Sequence, residues 1–182
     1  DAGGSYLFDE RLAPPDPVEL ARFGDQLAVS GTTFVVTTFL ESASQGAAYV
    51  FRDDGAGPID FETKLTSPLD PAAPDRFAGA VALDGDQLLV GASGVDDGFR
   101  TDQGRGFLYQ RQGSTWTLAQ ELLPDVESVS LNAGFTVALA EGVAIVGTST
   151  DRAPYRGGVA FVFPEAEGST ASPAAVLTPD GI

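Results

Sequence analysis

The sequence predicts an all-β chain built from repeated four-stranded units. Three observations carry that expectation. Apolar stretches are short and broken by turn residues, with 22 glycines and 12 prolines in 182 residues. A paired apolar block recurs at steps of 54 and 56 residues. An aromatic–aliphatic–aromatic triplet follows each block.

The paired block comes first in each unit. It reads Leu27-Ala28-Val29-Ser30-Gly31 then Phe34-Val35-Val36-Thr37. The next copy reads Val81-Ala82-Leu83-Asp84-Gly85 then Leu88-Leu89-Val90-Gly91, and the third reads Val137-Ala138-Leu139 then Val143-Ala144-Ile145-Val146-Gly147. Two apolar runs around a tight polar turn make a β-hairpin, and the turns are expected at Ser30-Gly31, Asp84-Gly85 and Glu141-Gly142. Gly85 suits such a turn because glycine tolerates positive φ.

The third strand of each unit is the triplet: Tyr49-Val50-Phe51, Phe107-Leu108-Tyr109 and Phe161-Val162-Phe163, with a fourth copy at Tyr6-Leu7-Phe8. At strand spacing both aromatics face one side and the aliphatic faces the other. The fourth strand is Trp116 to Leu122, matched by Ile59 to Leu65 and by the stretch ending at Val176-Leu177. No helix is expected. Pro14, Pro15 and Pro17 crowd the one stretch with helical character, residues 17–23.

Four-stranded units repeating at this length predict the blades of a β-propeller, a single region over 1–182. It divides into a half-blade 1–16 and blades 17–70, 71–126 and 127–182. A single β-sandwich is the alternative, and it would not demand such similar units. About three and a half blades leave the ring incomplete. The expectation is therefore that further blades, or other subunits of an assembly, cover the open face and edge.

The formal charge is −16, from 26 acidic and 10 basic residues. So acidic a surface repels nucleic acid and anionic lipid, and suits cations, basic partners or high salt. Lys64 is the sole lysine. With no Cys and no His, disulfides, thiolate chemistry and the usual general base are all excluded. No apolar run approaches the roughly 20 residues of a membrane span.

Residues 75–122 carry a resemblance. Asp75-Arg76-Phe77-Ala78-Gly79, Val81 to Asp86, Leu89-Val90-Gly91-Ala92, Gly104 to Tyr109 and Trp116 resemble the FG-GAP repeat of secreted bacterial proteins and of the integrin α propeller. Arg22-Phe23-Gly24 keeps the Phe-Gly pair. Phe77-Ala78-Gly79 is one residue looser, and Ala133-Gly134-Phe135 departs from it. The resemblance implies a seven-bladed propeller on an extracellular, secreted or cell-surface protein that serves adhesion or ligand binding. The partner would be a protein, a glycan or other subunits. Integrin-like repeats bind calcium between the first two strands. Asp84-Gly85-Asp86 stands there, but so short a hairpin cannot supply six to eight oxygens, so it reads as turn chemistry.

The better place for calcium is the loop after the second strand, where Asp96, Asp97 and Asp102 could wrap a hard cation. A solvated acidic loop is the alternative. Trp116 and the aromatic pairs could form a sugar-stacking platform, but strand spacing favours a core between blades. Arg152, Tyr155 and Arg156 share a loop that could touch a ligand or stay solvated. The expected function is a non-catalytic extracellular propeller for adhesion, ligand binding or surface assembly. The alternatives are a lectin-like carbohydrate binder and a glycan-processing enzyme, which would need two acids converging from different blades. The acids instead lie in loops beside Gly, Ser and other acids.

Overall fold

The structure is a computed structural model that describes residues 12–19, 21–39, 41, 45–70, 72–124, 126, 130–149, 157–164 and 170–179. Three antiparallel sheets follow one another along the chain. The first holds β1 (Leu27–Ser30), β2 (Thr33–Thr38), β3 (Ala47–Arg52) and β4 (Asp60–Leu65) in that order. The second holds β5 (Phe77–Asp84), β6 (Gln87–Ala92), β7 (Arg105–Gln112) and β8 (Thr115–Leu122). The third orders β9 (Thr136–Ala140), β10 (Val143–Gly147), β11 (Ala160–Phe163) and β13 (Ala175–Leu177). The described residues contain no helix. The strand expected at residues 6–8 lies outside them, as does most of the half-blade 1–16.

One feature was not expected. β12 (Thr170–Ala171) leaves the third unit and pairs in parallel with β8, giving the second sheet a fifth strand. Ala171 is buried there, and its carbonyl accepts the Leu123 N–H at 3.0 Å.

The hairpins have two-residue loops. Ser30 pairs with Thr33 and Asp84 with Gln87, so those turns are Gly31-Thr32 and Gly85-Asp86, one residue later than expected. Gly31 (φ 57°) and Gly85 (φ 55°) take the positive φ that the first loop position needs. The third turn is Glu141-Gly142, as expected from the sequence.

Strand alternation gives each sheet two unlike faces. The front face, toward the preceding unit, carries the aromatic pairs; the back face carries small and aliphatic side chains. The back of the first sheet (Ala28, Val35, Ala48, Val50) packs on the front of the second (Val81, Leu83, Leu88, Val90, Phe107, Tyr109, Trp116). The back of the second (Ala82, Leu89, Leu108, Leu122) packs on the front of the third (Val137, Leu139, Ala144, Val146, Phe161, Phe163). A bulky face thus fills a shallow one at both joints, which is how sheet packing reaches interior density.

Candidate functional site at the joints between sheets

The polar and backbone chemistry of the described residues concentrates where one sheet meets the next. It begins with the segment before each first strand. Arg22, Arg76 and Asn132 are equivalent positions, at φ 59°, 52° and 55°. Two residues later Gly24, Ala78 and Gly134 are again at positive φ: 98°, 60° and 86°. The glycine place of the Phe-Gly pair is therefore held by Ala78, not Gly79. Ala133-Gly134 keeps the backbone shape and loses only the phenylalanine ring.

This kinked segment is pinned to the preceding unit by a repeated contact. The Phe77 N–H donates to the Gln45 carbonyl at 3.0 Å, and the Ala133 N–H donates to the Gln103 carbonyl at 3.0 Å. The next residues, Gly46 and Gly104, lie so close that a Cβ on either would overlap the carbonyl oxygen of Phe77 or Ala133. A second repeated contact joins the hairpin turns. The Gly85 N–H donates to the Ser30 hydroxyl at 3.0 Å, and the Glu141 N–H donates to the Asp84 carboxylate at 2.8 Å. Asp84 is thus a tie between units, more specific than the turn chemistry the sequence suggested.

A buried charge pair crosses the first joint. Glu62 on β4 accepts from the Arg111 guanidinium on β7, and its other oxygen accepts from Trp116 Nε1 at 3.1 Å. Arg111 also lies over the Trp116 ring, 5.9 Å from its centroid. Trp116 is therefore part of the core between sheets, not a free stacking platform.

Lys64 anchors the segment before β1. Its ammonium donates to Asp16 at 2.6 Å and to the buried Glu41 carboxylate. Glu41 also accepts from the hydroxyls of Tyr49 and Thr38, both at 2.9 Å. Partial burial alone would lower the Lys64 pKa; the bonds to Asp16, Glu41 and Tyr49 outweigh it and hold the pKa above the ordinary lysine value. The Lys64 bond holds Asp16 below the ordinary carboxylate value. Burial pushes the Tyr49 phenol up, and Glu41 adds to it. A raised lysine contributes stability below its ordinary pKa, and a lowered aspartate contributes above its own. This cluster therefore holds through neutral pH, and Asp16 lets go only in acid, below about pH 4. Lys64 in the folded protein should react with an amine-directed acylating ester at pH 8 at least about tenfold more slowly than in urea, as a raised pKa implies. Mass spectrometry of the Lys64 peptide reads this, and equal rates would contradict the cluster.

The three candidate calcium ligands lie in the β6–β7 loop, and each is engaged by a neighbour within the protein. Asp97 pairs with Arg100 at 2.8 Å, Asp102 faces Arg76 at 3.6 Å, and Asp96 accepts the Asp102 N–H at 2.8 Å. Among the described residues no group of three acidic side chains is placed to hold a metal ion. Arg100 engages Asp97 and Arg76 faces Asp102, so two of the three carboxylates already have a cation beside them. Millimolar calcium should leave the melting temperature where an equal ionic strength of sodium chloride leaves it. A calcium-specific rise that Asp97→Ala removes would show that the loop rearranges around the ion.

Asp96 and Asp102 also line a cleft of about 600 Å³ with Asp70, Asp75 and Arg76. A second cleft, of about 560 Å³, runs between β5 and the start of β9, with Arg76 and Phe135 on its walls. Residues 152, 155 and 156 lie outside the described residues. No helix among the described residues is long and apolar enough to cross a membrane.

Sheets of one pattern joined by one repeated contact define a tandem all-β repeat protein. In its middle stretch, residues 60–109 match the model of the FG-GAP repeat. No curated protein matches the chain.

Proposed function

We propose that the chain is a non-catalytic β-propeller module, its three sheets consecutive blades, that binds a protein or glycan partner or builds an assembly outside the cell. The observation that carries this reading is the repeated joint. β1 lies against β5 and β5 against β9, as inner strands do around an axis, and the same backbone contact recurs at each step. Buried charge is spent on holding elements in place: Glu62 and Arg111 join two sheets, and Lys64, held by Glu41, ties β4 to Asp16 in the segment before β1. The loops and clefts between sheets are then the surface offered to a partner. Secretion agrees with the FG-GAP match.

The test pairs binding with turnover. The purified chain is passed over immobilised glycans and extracellular matrix proteins, and incubated with a panel of chromogenic glycosides. Retention on at least one surface without product release is expected. Glycoside hydrolysis that an Asp75→Asn or Asp102→Asn variant loses would replace this reading with the enzymatic one.

A further inference from the structure

Each internal joint has a back half and a front half, and the two ends of the stack carry one of each. At the front of the first sheet, Leu27 and Val29 are 69% and 72% exposed, whereas their equivalents Val81, Leu83, Val137 and Leu139 pack against a preceding sheet. At the back of the third sheet, Ile145 and Val162 are only partly covered, whereas their equivalents Val35, Val50, Leu89 and Leu108 are buried. Register places Ala138, Val143 and Ile145 on one continuous apolar face of β9 and β10.

The backbone contact is split in the same way. Gly158 (φ 89°) occupies the place of Gly46 and Gly104, and a Cβ there would meet nothing closer than the Thr148 backbone at 3.6 Å. Phe23 occupies the place of Phe77 and Ala133, and its N–H has no partner among the described residues. Among the described residues, both complementary halves thus stand at opposite ends of the stack without a mate.

We propose that these halves meet between chains: the β9–β10 back face of one copy docks on β1 of a second copy, head to tail. This rests on reading the sheets as stackable blades. The contact repeats the β1–β5 and β5–β9 arrangement already made twice within the chain, and places the Gly158 turn against Phe23 of the second copy. The outer part of the first front face is already packed by Leu12, Phe23 and Ile59, so the contact centres on the inner strand. Ala140 stands where Ser30 and Asp84 supply turn acceptors, so one polar tie is missing. The contact is therefore reversible, weaker than the internal joints. Two chains of −16 charge repel, so association strengthens with salt. A head-to-tail contact closes a ring if its rotation permits and extends into a filament otherwise.

Sedimentation velocity in moderate sodium chloride tests this with two surface variants, Val29→Glu and Val143→Glu, whose folding is checked by circular dichroism. The wild type is expected to associate with rising concentration, and each variant alone to stay monomeric. An equal mixture should form a one-to-one dimer and stop there, because each variant retains the half the other lacks. A wild type that stays monomeric at every concentration, variants that associate like the wild type, or a mixture that stays monomeric would each overturn the proposal. Whether the blades stack as described is read separately, by exchange at the Phe77 and Ala133 amides, so loss of association alone leaves the blade reading standing.

Discussion

Gly104→Ala should destabilise the chain by about 3–5 kcal/mol, the sum expected for a strained left-handed residue and an overpacked site. Gly104 sits at φ 71°, and its added methyl would overlap the Ala133 carbonyl and lie 2.6 Å from the Ala133 nitrogen. Both obstacles are backbone, so neither can swing aside. The joint between second and third sheets must open, or the β6–β7 loop must leave its place. Gly113→Ala is the matched control: φ is 66° there, and nothing lies within 4 Å. That variant should lose only the conformational part, about 1 kcal/mol. Denaturant unfolding measures both. Equal losses would mean that the close approach between sheets is not energetically used.

The second large effect is expected from Glu62→Ala. It removes the acceptor of both Arg111 and Trp116 Nε1 while leaving the guanidinium buried between two sheets. Breaking a buried pair from one side costs about 3–5 kcal/mol, because the remaining charge has lost its solvent and its partner. Asp86 lies 3.5 Å from Arg111 and is largely exposed, so it offsets little of this. Glu62→Gln should cost less, since an amide oxygen still accepts. Replacing both charges, Glu62→Leu with Arg111→Leu, should recover much of the loss. If the double variant is as unstable as Glu62→Ala, the penalty is lost packing and not stranded charge.

The strands were legible because apolar pairs, turn glycines and aromatic triplets repeat at one spacing. The unlike faces were legible too, from alternation through Tyr49-Val50-Phe51 and its copies. The alignment of the Phe-Gly pair was not, because letters do not show φ. Ala78 holds a left-handed place that glycine holds in the other units, and this shifts the apparent motif by one residue. Ser30 and Asp84 could have been suspected as joint residues, since both precede a turn in the same register. Glu62 and Arg111 could not. They are 49 residues apart, on different sheets, and have no counterpart in the next unit. The acids of the β6–β7 loop were legible as a cluster, but their arginine partners were not. Asp96, Asp97 and Asp102 are neighbours in sequence, yet Arg100 and Arg76 take two of them. β12 escaped because two residues, Thr170 and Ala171, leave no period to read.

One backbone contact fastens each sheet to the next. Amide hydrogen exchange, followed by NMR at low protein concentration, tests it most directly. The Phe77 and Ala133 amides are expected to exchange as slowly as the strand amides of β6 and β10, because opening either requires separating two sheets. Phe23, in the same place of the first unit, should exchange far faster. Fast exchange at Phe77 and Ala133, beside slow strands, would show three sheets that merely follow one another along the chain.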